Sequence, residues 1–172
     1  MILSLVDHND PILHAPCEKF NFSNPQVDIL EFSHNLSETM FKHGAMGIAA
    51  NQVGVNLTIF AMAADPAMVV INPKIIDISD ELALLEEGCL SYPGIIIKVK
   101  RPSYIKARFN YPDGNAKTHE FHGMTARCFL HEYAHLQGRT MIDDTNKFYR
   151  DKAKKTLSYR TKALDSIKKV IR

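Results

Sequence analysis

Chemistry is most concentrated in the run His131–Glu132–Tyr133–Ala134–His135. In a helix, four residues at about 100° each put the two imidazoles on one face, a turn apart, where both reach a single metal ion. Glu132, one step round, is placed to take a proton from a water at that metal. Two histidines leave the site incomplete, since catalytic sites of this kind use three protein ligands and keep one position open. A histidine six residues past His135 would serve, but position 141 is Met, and no glutamate follows Glu132. Asp143 and Asp144 are carboxylates near the helix end, where capping or surface duty is the commoner role. Cys89, in Glu87–Gly88–Cys89–Leu90–Ser91, would complete a thiolate and two-imidazole set suited to a divalent transition metal. As a free cysteine it has a plainer alternative, a small buried apolar group.

These residues need elements to position them. A helix is expected over about Met124–Gln137, entered at Gly123 and stopped by Gly138. An earlier helix is expected from Ser23–Asn24–Pro25, with Val27, Leu30, Phe32, Leu36 and Met40 as its apolar stripe and Gly44 as its stop. Strand-like runs follow at Leu57–Met62, Met68–Ile71, Lys74–Ile78, Ile95–Val99 and Tyr104–Tyr111. Pro112–Asp113–Gly114–Asn115 is a turn sequence, so Tyr104–Tyr111 and Lys117–His122 should pair as a hairpin. The predicted class is α+β: antiparallel or mixed strands packed around a central helix with the two histidines, an N-terminal helix and a C-terminal basic helix. Residues 1–146 read as one catalytic domain. Residues 147–172 read as a basic amphipathic helix of that domain, with Ala153, Leu157, Leu164, Ile167 and Ile171 on its apolar side.

Composition narrows the class. The chain has 172 residues, 45% of them hydrophobic and 23% charged, which suits one folded domain and excludes a disordered chain. Three cysteines are too few and odd for a disulfide scaffold, which points to a reducing cytosol. His43–Ala64 carries no charged side chain, but Asn51, Gln52 and three glycines argue for a buried loop and strand rather than a membrane span. The apolar run Met1–Val6 ends at Asp7, short of a signal-peptide core. Ten of the 21 basic residues but only two of the 19 acidic ones lie from Lys147 onward, so the tail is formally +8 and the rest −6. A solvated helix face is the ordinary reason for such a run; docking to an acidic partner is the sharper one.

Gly47–Ile48–Ala49–Ala50–Asn51–Gln52, Glu87–Gly88–Cys89–Leu90–Ser91 and His131–Glu132–Tyr133–Ala134–His135 resemble, in order and spacing, the three motifs of peptide deformylases. The resemblance spans roughly Asp10 to Asp144 and includes Ile71–Asn72–Pro73. It implies a cytoplasmic, monomeric enzyme that hydrolyses the formyl group from the N-terminal formylmethionine of new polypeptides. It also implies Cys89, His131 and His135 as ligands of one divalent metal, usually Fe2+, with Zn2+, Ni2+ or Co2+ in isolated protein. Glu132 would be the general base and then the acid for the departing amine. Gln52 and the backbone N–H of Leu90 would stabilise charge on the formyl oxygen. Met46–Gly47 would pair with the peptide as an added strand. Met46, Leu85, Met124 and Cys128 would line the methionine pocket. For the tail it suggests contact with the ribosome, where the substrate emerges.

The chain departs from the family pattern at Ala45, where the first glycine of its motif is usual, at Ala134 in place of aspartate, and at Leu130 in place of glutamine. None removes a ligand or the base, so activity is expected, with rate or metal retention open to change. Two rivals follow: a metallopeptidase using Asp143 or Asp144 as third ligand, and a degenerate deformylase-like binder of nascent chains. Plainer roles are read for the remaining residues. Gln52 would serve only loop backbone groups, Cys17 and Cys128 fit core or surface thiols, and His119 and His122 fit the surface. Glu87 is positioned by type to pair with Arg101 or Arg127.

Overall fold

The computed structural model describes residues 1–64 and 66–170, with side chains in the last helix to Tyr159 and at Lys162 and Ala163. Its elements run α1 (Ile29–Lys42), β1 (Gly47–Ala49), β2 (Ile59–Met62), β3 (Met68–Ile78), β4 (Leu82–Gly88), β5 (Ile96–Pro102), β6 (Tyr104–Asn110), β7 (Ala116–His122), α2 (Gly123–Leu136), α3 (Met141–Asp144) and α4 (Lys147–Val170). Five strands form an antiparallel sheet in the order β1-β2-β3-β6-β7, and β4 and β5 form a separate antiparallel ribbon. This is the α+β class that the sequence predicts.

Side-chain alternation decides what each face of the large sheet covers. Ile48, Ile59, Ala61, Val69 and Ile71 turn to α1 and its buried Phe32, Leu36 and Met40. Ala49, Phe60, Met62 and Val70 turn the other way, to Ala126, Phe129 and Leu130 of α2. With helices on both faces, β2 is buried at all four positions, which is why Ile59–Met62 is apolar without alternation. The opposite side of α2 meets the ribbon: Arg127 donates to the carbonyls of Val99 (3.0 Å) and Ala83 (2.7 Å). Ile97 and Val99 of β5 then pack with Met141, Ile142 and Ala153, joining α3 and α4 to the body.

Several boundaries differ from the sequence expectation. Helix α1 starts at Ile29 because Asp28, not Ser23, caps it, accepting from the Leu30 and Glu31 amides at 3.0 Å. Ser23 and Asn24 are engaged by the Asn21 carboxamide in a turn. The runs Met68–Ile71 and Lys74–Ile78 are one strand whose register slips at Asn72–Pro73. Asn72 adopts φ 52°, and its side chain bonds both the N–H and the C=O of Phe20, which holds the irregularity in place. Leu82–Gly88 is a strand that no alternation announces, since Leu82, Leu84 and Leu85 are all exposed at the ribbon's edge. Helix α2 ends where Gly138 takes φ 69°; a side chain there would also strike the backbone of His14 and Ala15. His119 is half-buried, bonding the Tyr111 hydroxyl at 2.9 Å and stacking on Phe109, so it is not a surface group. His122 is exposed. On α4, Ala153 is buried and Leu157 packs against the same cluster, whereas the side chains of Leu164 and Ile167, and Ile171 altogether, lie outside the described residues.

Candidate active site

Two elements converge on one point. Helix α2 brings His131 and His135, one turn apart, with ring centroids 5.2 Å from each other. The turn after β4 brings Cys89, whose Sγ lies 3.2 Å from His135 Nε2. One ligand atom from each of Cys89, His131 and His135 falls within 4.8 Å of the others, the only such group found among the described residues. Asp143 and Asp144 take no part. Asp143 accepts from the N–H and hydroxyl of Thr140, and Asp144 pairs with Arg101 and Arg139. That removes the third ligand which the metallopeptidase reading required.

The chemistry of this donor set fits a metal. Burial alone would raise the Cys89 thiol, yet the imidazoles of His135 and His131 hold it well below the ordinary thiol range. Burial likewise opposes a charged His131, but its hydrogen bonds with Cys89 and Glu87 keep it well above the usual range. A thiolate held by imidazole protons is the proton-loaded form of a metal site, and a divalent cation would replace those protons. His135 Nδ1 is buried without a partner among the described residues. His131 Nδ1, by contrast, is fixed 2.9 Å from Glu87 Oε2, which leaves Nε2 to face the sulfur.

Glu87 is the hub behind this donor set. Its Oε1 accepts from Arg101 Nε (2.7 Å) and Arg127 Nη1 (2.7 Å), and its Oε2 from Arg101 Nη2 (2.9 Å) and His131 Nδ1. Burial works to raise this carboxyl, but the hydrogen bonds from His131 and Arg101 outweigh it and bring it down to about 2. The sequence offered Arg101 or Arg127 as partner; the side chain takes both. Asn51, which the sequence did not single out, donates to the His135 carbonyl at 2.7 Å and ties the glycine-rich segment to α2.

Glu132 is 3% exposed, and burial pushes its carboxyl up to about 7 against the pull of His131 and His135. Its Oε2 has no partner among the described residues. The carboxylate lies directly against the Gly47 backbone: a Cβ there would stand 2.8 Å from both Cγ and Cδ of Glu132. Gln52 is held with its Oε1 accepting from the Ala49 N–H (2.9 Å) and its Nε2 facing Ser91 Oγ (3.0 Å) and Cys89 Sγ (3.4 Å). Its amide group therefore faces the Cys89 sulfur and the Ser91 hydroxyl, so its duty is not confined to loop backbone.

A cavity of about 580 Å³ opens over these groups. Met46, Gly47, Gln52, Leu90, Met124, Cys128, His131 and Glu132 all line it. Leu85 does not. It shares a strand face with Glu87, but on the edge strand of a two-stranded ribbon it stays 44% exposed, and Glu86, Leu5 and His43 take up wall positions that the sequence did not point to. Cys128 is buried and donates to the Met46 carbonyl at 3.1 Å, while Cys17 is half-buried. Strand β1 is the end strand of its sheet, bonded to β2 on one side only.

A model of the polypeptide deformylase family matches residues 2–151. The chain belongs to the polypeptide deformylase family. The peptide deformylase of Thermotoga neapolitana is 37% identical over 163 residues, covering 92% of this chain and 93% of that one. Solved deformylases share the fold. One from Ehrlichia chaffeensis in complex with actinonin superposes with TM-score 0.83 at 32% identity, covering 92% of this chain and 97% of that one. Arabidopsis thaliana peptide deformylase 1B, in complex with an inhibitor, gives 0.86 at 28% identity over 95% and 93%. No described helix is long and apolar enough to cross a membrane.

Proposed function

We propose that this deformylase removes the formyl group from N-formylmethionyl peptides, with Cys89, His131 and His135 as the ligands of one divalent metal. The observation that carries this reading is the junction of one thiolate and two imidazoles with Glu132 and the Gln52 amide beside them, of which Cys89, His131, Glu132 and Gln52 line one cavity. The sulfur and nitrogen donors fit Fe2+, and would also take Zn2+, Ni2+ or Co2+. When bound, the metal would polarise the formyl carbonyl and acidify water.

The chain's own residues account for the rest. Gly47 opens β1 at the free edge of its sheet, and the backbone of Met46–Gly47 would pair with the peptide as an added strand, a mode indifferent to side-chain identity beyond methionine. Met46, Met124 and Cys128 would receive the methionine side chain. Gln52 Nε2 and the Leu90 N–H would donate to the formyl oxygen as negative charge builds there. Glu132 would accept the proton of the attacking water at its unpartnered Oε2 and pass it to the departing amine, so that formamide and water become formate and a free amino terminus. Gly47 leaves the space that this carboxylate needs.

Residues 1–146 and the helix from 147 to 172 would act as one domain arranged around the helix with the paired histidines, and a cytoplasmic monomer fits such a chain. Buried Ala153 and the bonds from Arg150 to the carbonyls of Ile142, Asp143 and Thr145 support it. The exposed lysines 152, 154 and 155 offer ribosomal RNA or protein a basic face.

Formyl-Met-Ala-Ser hydrolysis with anaerobic Fe2+-loaded protein tests the activity. Glu132→Ala should keep the metal and lose most turnover, and Cys89→Ser should lose the metal. Turnover equal to the parent in Glu132→Ala would refute the assignment of the base. No turnover by the parent enzyme would favour a binder without catalysis.

A further inference from the structure

We infer that Asp144 is a positioning residue for the metal centre, acting through Arg101 and Glu87 on His131. The inference rests on the ligand set proposed above and concerns a carboxylate that the family resemblance does not assign.

The buried cluster behind His131 contains two guanidiniums, Arg101 and Arg127, and only one carboxylate in direct contact with the imidazole, Glu87. Glu87 alone leaves that cluster one positive charge in excess. Asp144 supplies the second negative charge. Its Oδ2 accepts from Arg101 Nη1 at 2.9 Å, with the Asp144 and Arg101 side chains 8% and 7% exposed. Arg101 is thereby divided between two acids, Nε and Nη2 to Glu87 and Nη1 to Asp144.

Helix α2 itself does not provide this charge. Arg127 and His131, four residues apart, both reach Glu87, and Ala134 follows on the same stripe of α2 with only a methyl group. The chain instead stops α2 at Gly138 and folds back into α3, whose last residue is Asp144. A carboxylate from the next element thus does what the helix stripe cannot.

Without it, two effects act in the same direction. The Glu87 carboxylate, facing an uncompensated Arg101, would be drawn from the His131 N–H, and His131 would become a poorer donor at its other nitrogen. The excess buried positive charge would also repel a divalent cation held on the far side of the imidazole.

The test uses the full chain loaded with Co2+, whose thiolate charge-transfer band reports the Cys89 bond, with affinity read by chelator competition. Asp144→Asn keeps volume and an acceptor for Arg101 but removes the charge, and should weaken Co2+ binding about tenfold, the lower end for groups behind a ligand. Asp144→Ser, which also lacks the charge and leaves room for water, carries the same expectation should the first variant fold poorly. Arg139→Ala removes the exposed partner of Asp144 and should leave affinity unchanged. Parent-like affinity in the Asp144 variants would overturn the inference. So would an equal loss in Arg139→Ala, because anchoring of α3 would then explain the effect. Retention of the band in Cys89→Ser would instead overturn the ligand set, leaving a result distinguishable from either.

Discussion

Replacing Gly47 with alanine tests the placement of Glu132 without touching a ligand. Gly47 does not adopt a positive φ, so alanine suits the backbone, and the whole effect comes from the added methyl. That methyl would stand 2.8 Å from Cγ and Cδ of Glu132 and closer still to Oε1, well inside ordinary carbon contact. Restoring a separation of about 3.5–4.0 Å requires the carboxylate to move by roughly 1 Å. A shift of that size in a proton-transferring group costs about 10²-fold in rate. Crowding in a packed interior should cost about 1–3 kcal/mol in stability. The expected result is a hundredfold lower kcat on formyl-Met-Ala-Ser, metal content equal to the parent, and a modest fall in Tm. In a Glu132→Ala background the same substitution should cost little more, since the group it displaces is gone. Activity within threefold of the parent, or independent multiplying losses in the double variant, would refute the argument.

Other expectations follow from the same geometry. Glu132 works as a base only when ionised, and burial raises its carboxyl to about 7 before any cation binds, so the kcat/KM profile should fall on its acid side, below pH 7. A bound cation moves that limb to lower pH, and a limb above 7 would contradict the assignment. Glu87 titrates near 2 in the fold against 4.5 for the free group, so it contributes stability above pH 4.5 that is lost as pH falls towards 2. Glu87→Gln should therefore cost about 3 kcal/mol near neutrality, and far less near pH 2, in denaturant titrations. Reversing Lys152, Lys154 and Lys155 to Glu should weaken ribosome co-sedimentation at low salt and leave formyl-Met-Ala-Ser turnover unchanged; undiminished binding would remove the tail from any docking role.

The parts of this protein that were readable in its sequence are those set by local spacing. The helical interval between His131 and His135 and the turn at Pro112–Asn115 each declare themselves within a few residues. The third ligand did not follow from spacing within one element, because Cys89 and the histidines meet only through tertiary packing; the three motifs together singled it out. Leu82–Gly88 carries no strand signature because its leucines are exposed and its one buried side chain is the charged Glu87, so no apolar face imposes alternation. The resemblance puts Leu85 in the pocket, whereas a strand edge leaves it open to solvent. The position of Asp144 was the least legible. It depends on the angle at which the chain turns after Gly138, which no local pattern encodes.

Glu87 belongs to the ribbon of β4 and β5 and Cys89 to the turn between its strands, while both histidines belong to α2. A two-stranded ribbon has little stability by itself, and beyond its apolar contact with α3 and α4 this one is fastened to α2 by the polar bonds of Glu87 and Arg127. A cation seated between sulfur and imidazoles would therefore act as a clasp across that seam. Chelation should loosen residues 82–102 while the five-stranded sheet holds, so that backbone deuterium uptake there would report occupancy of the centre.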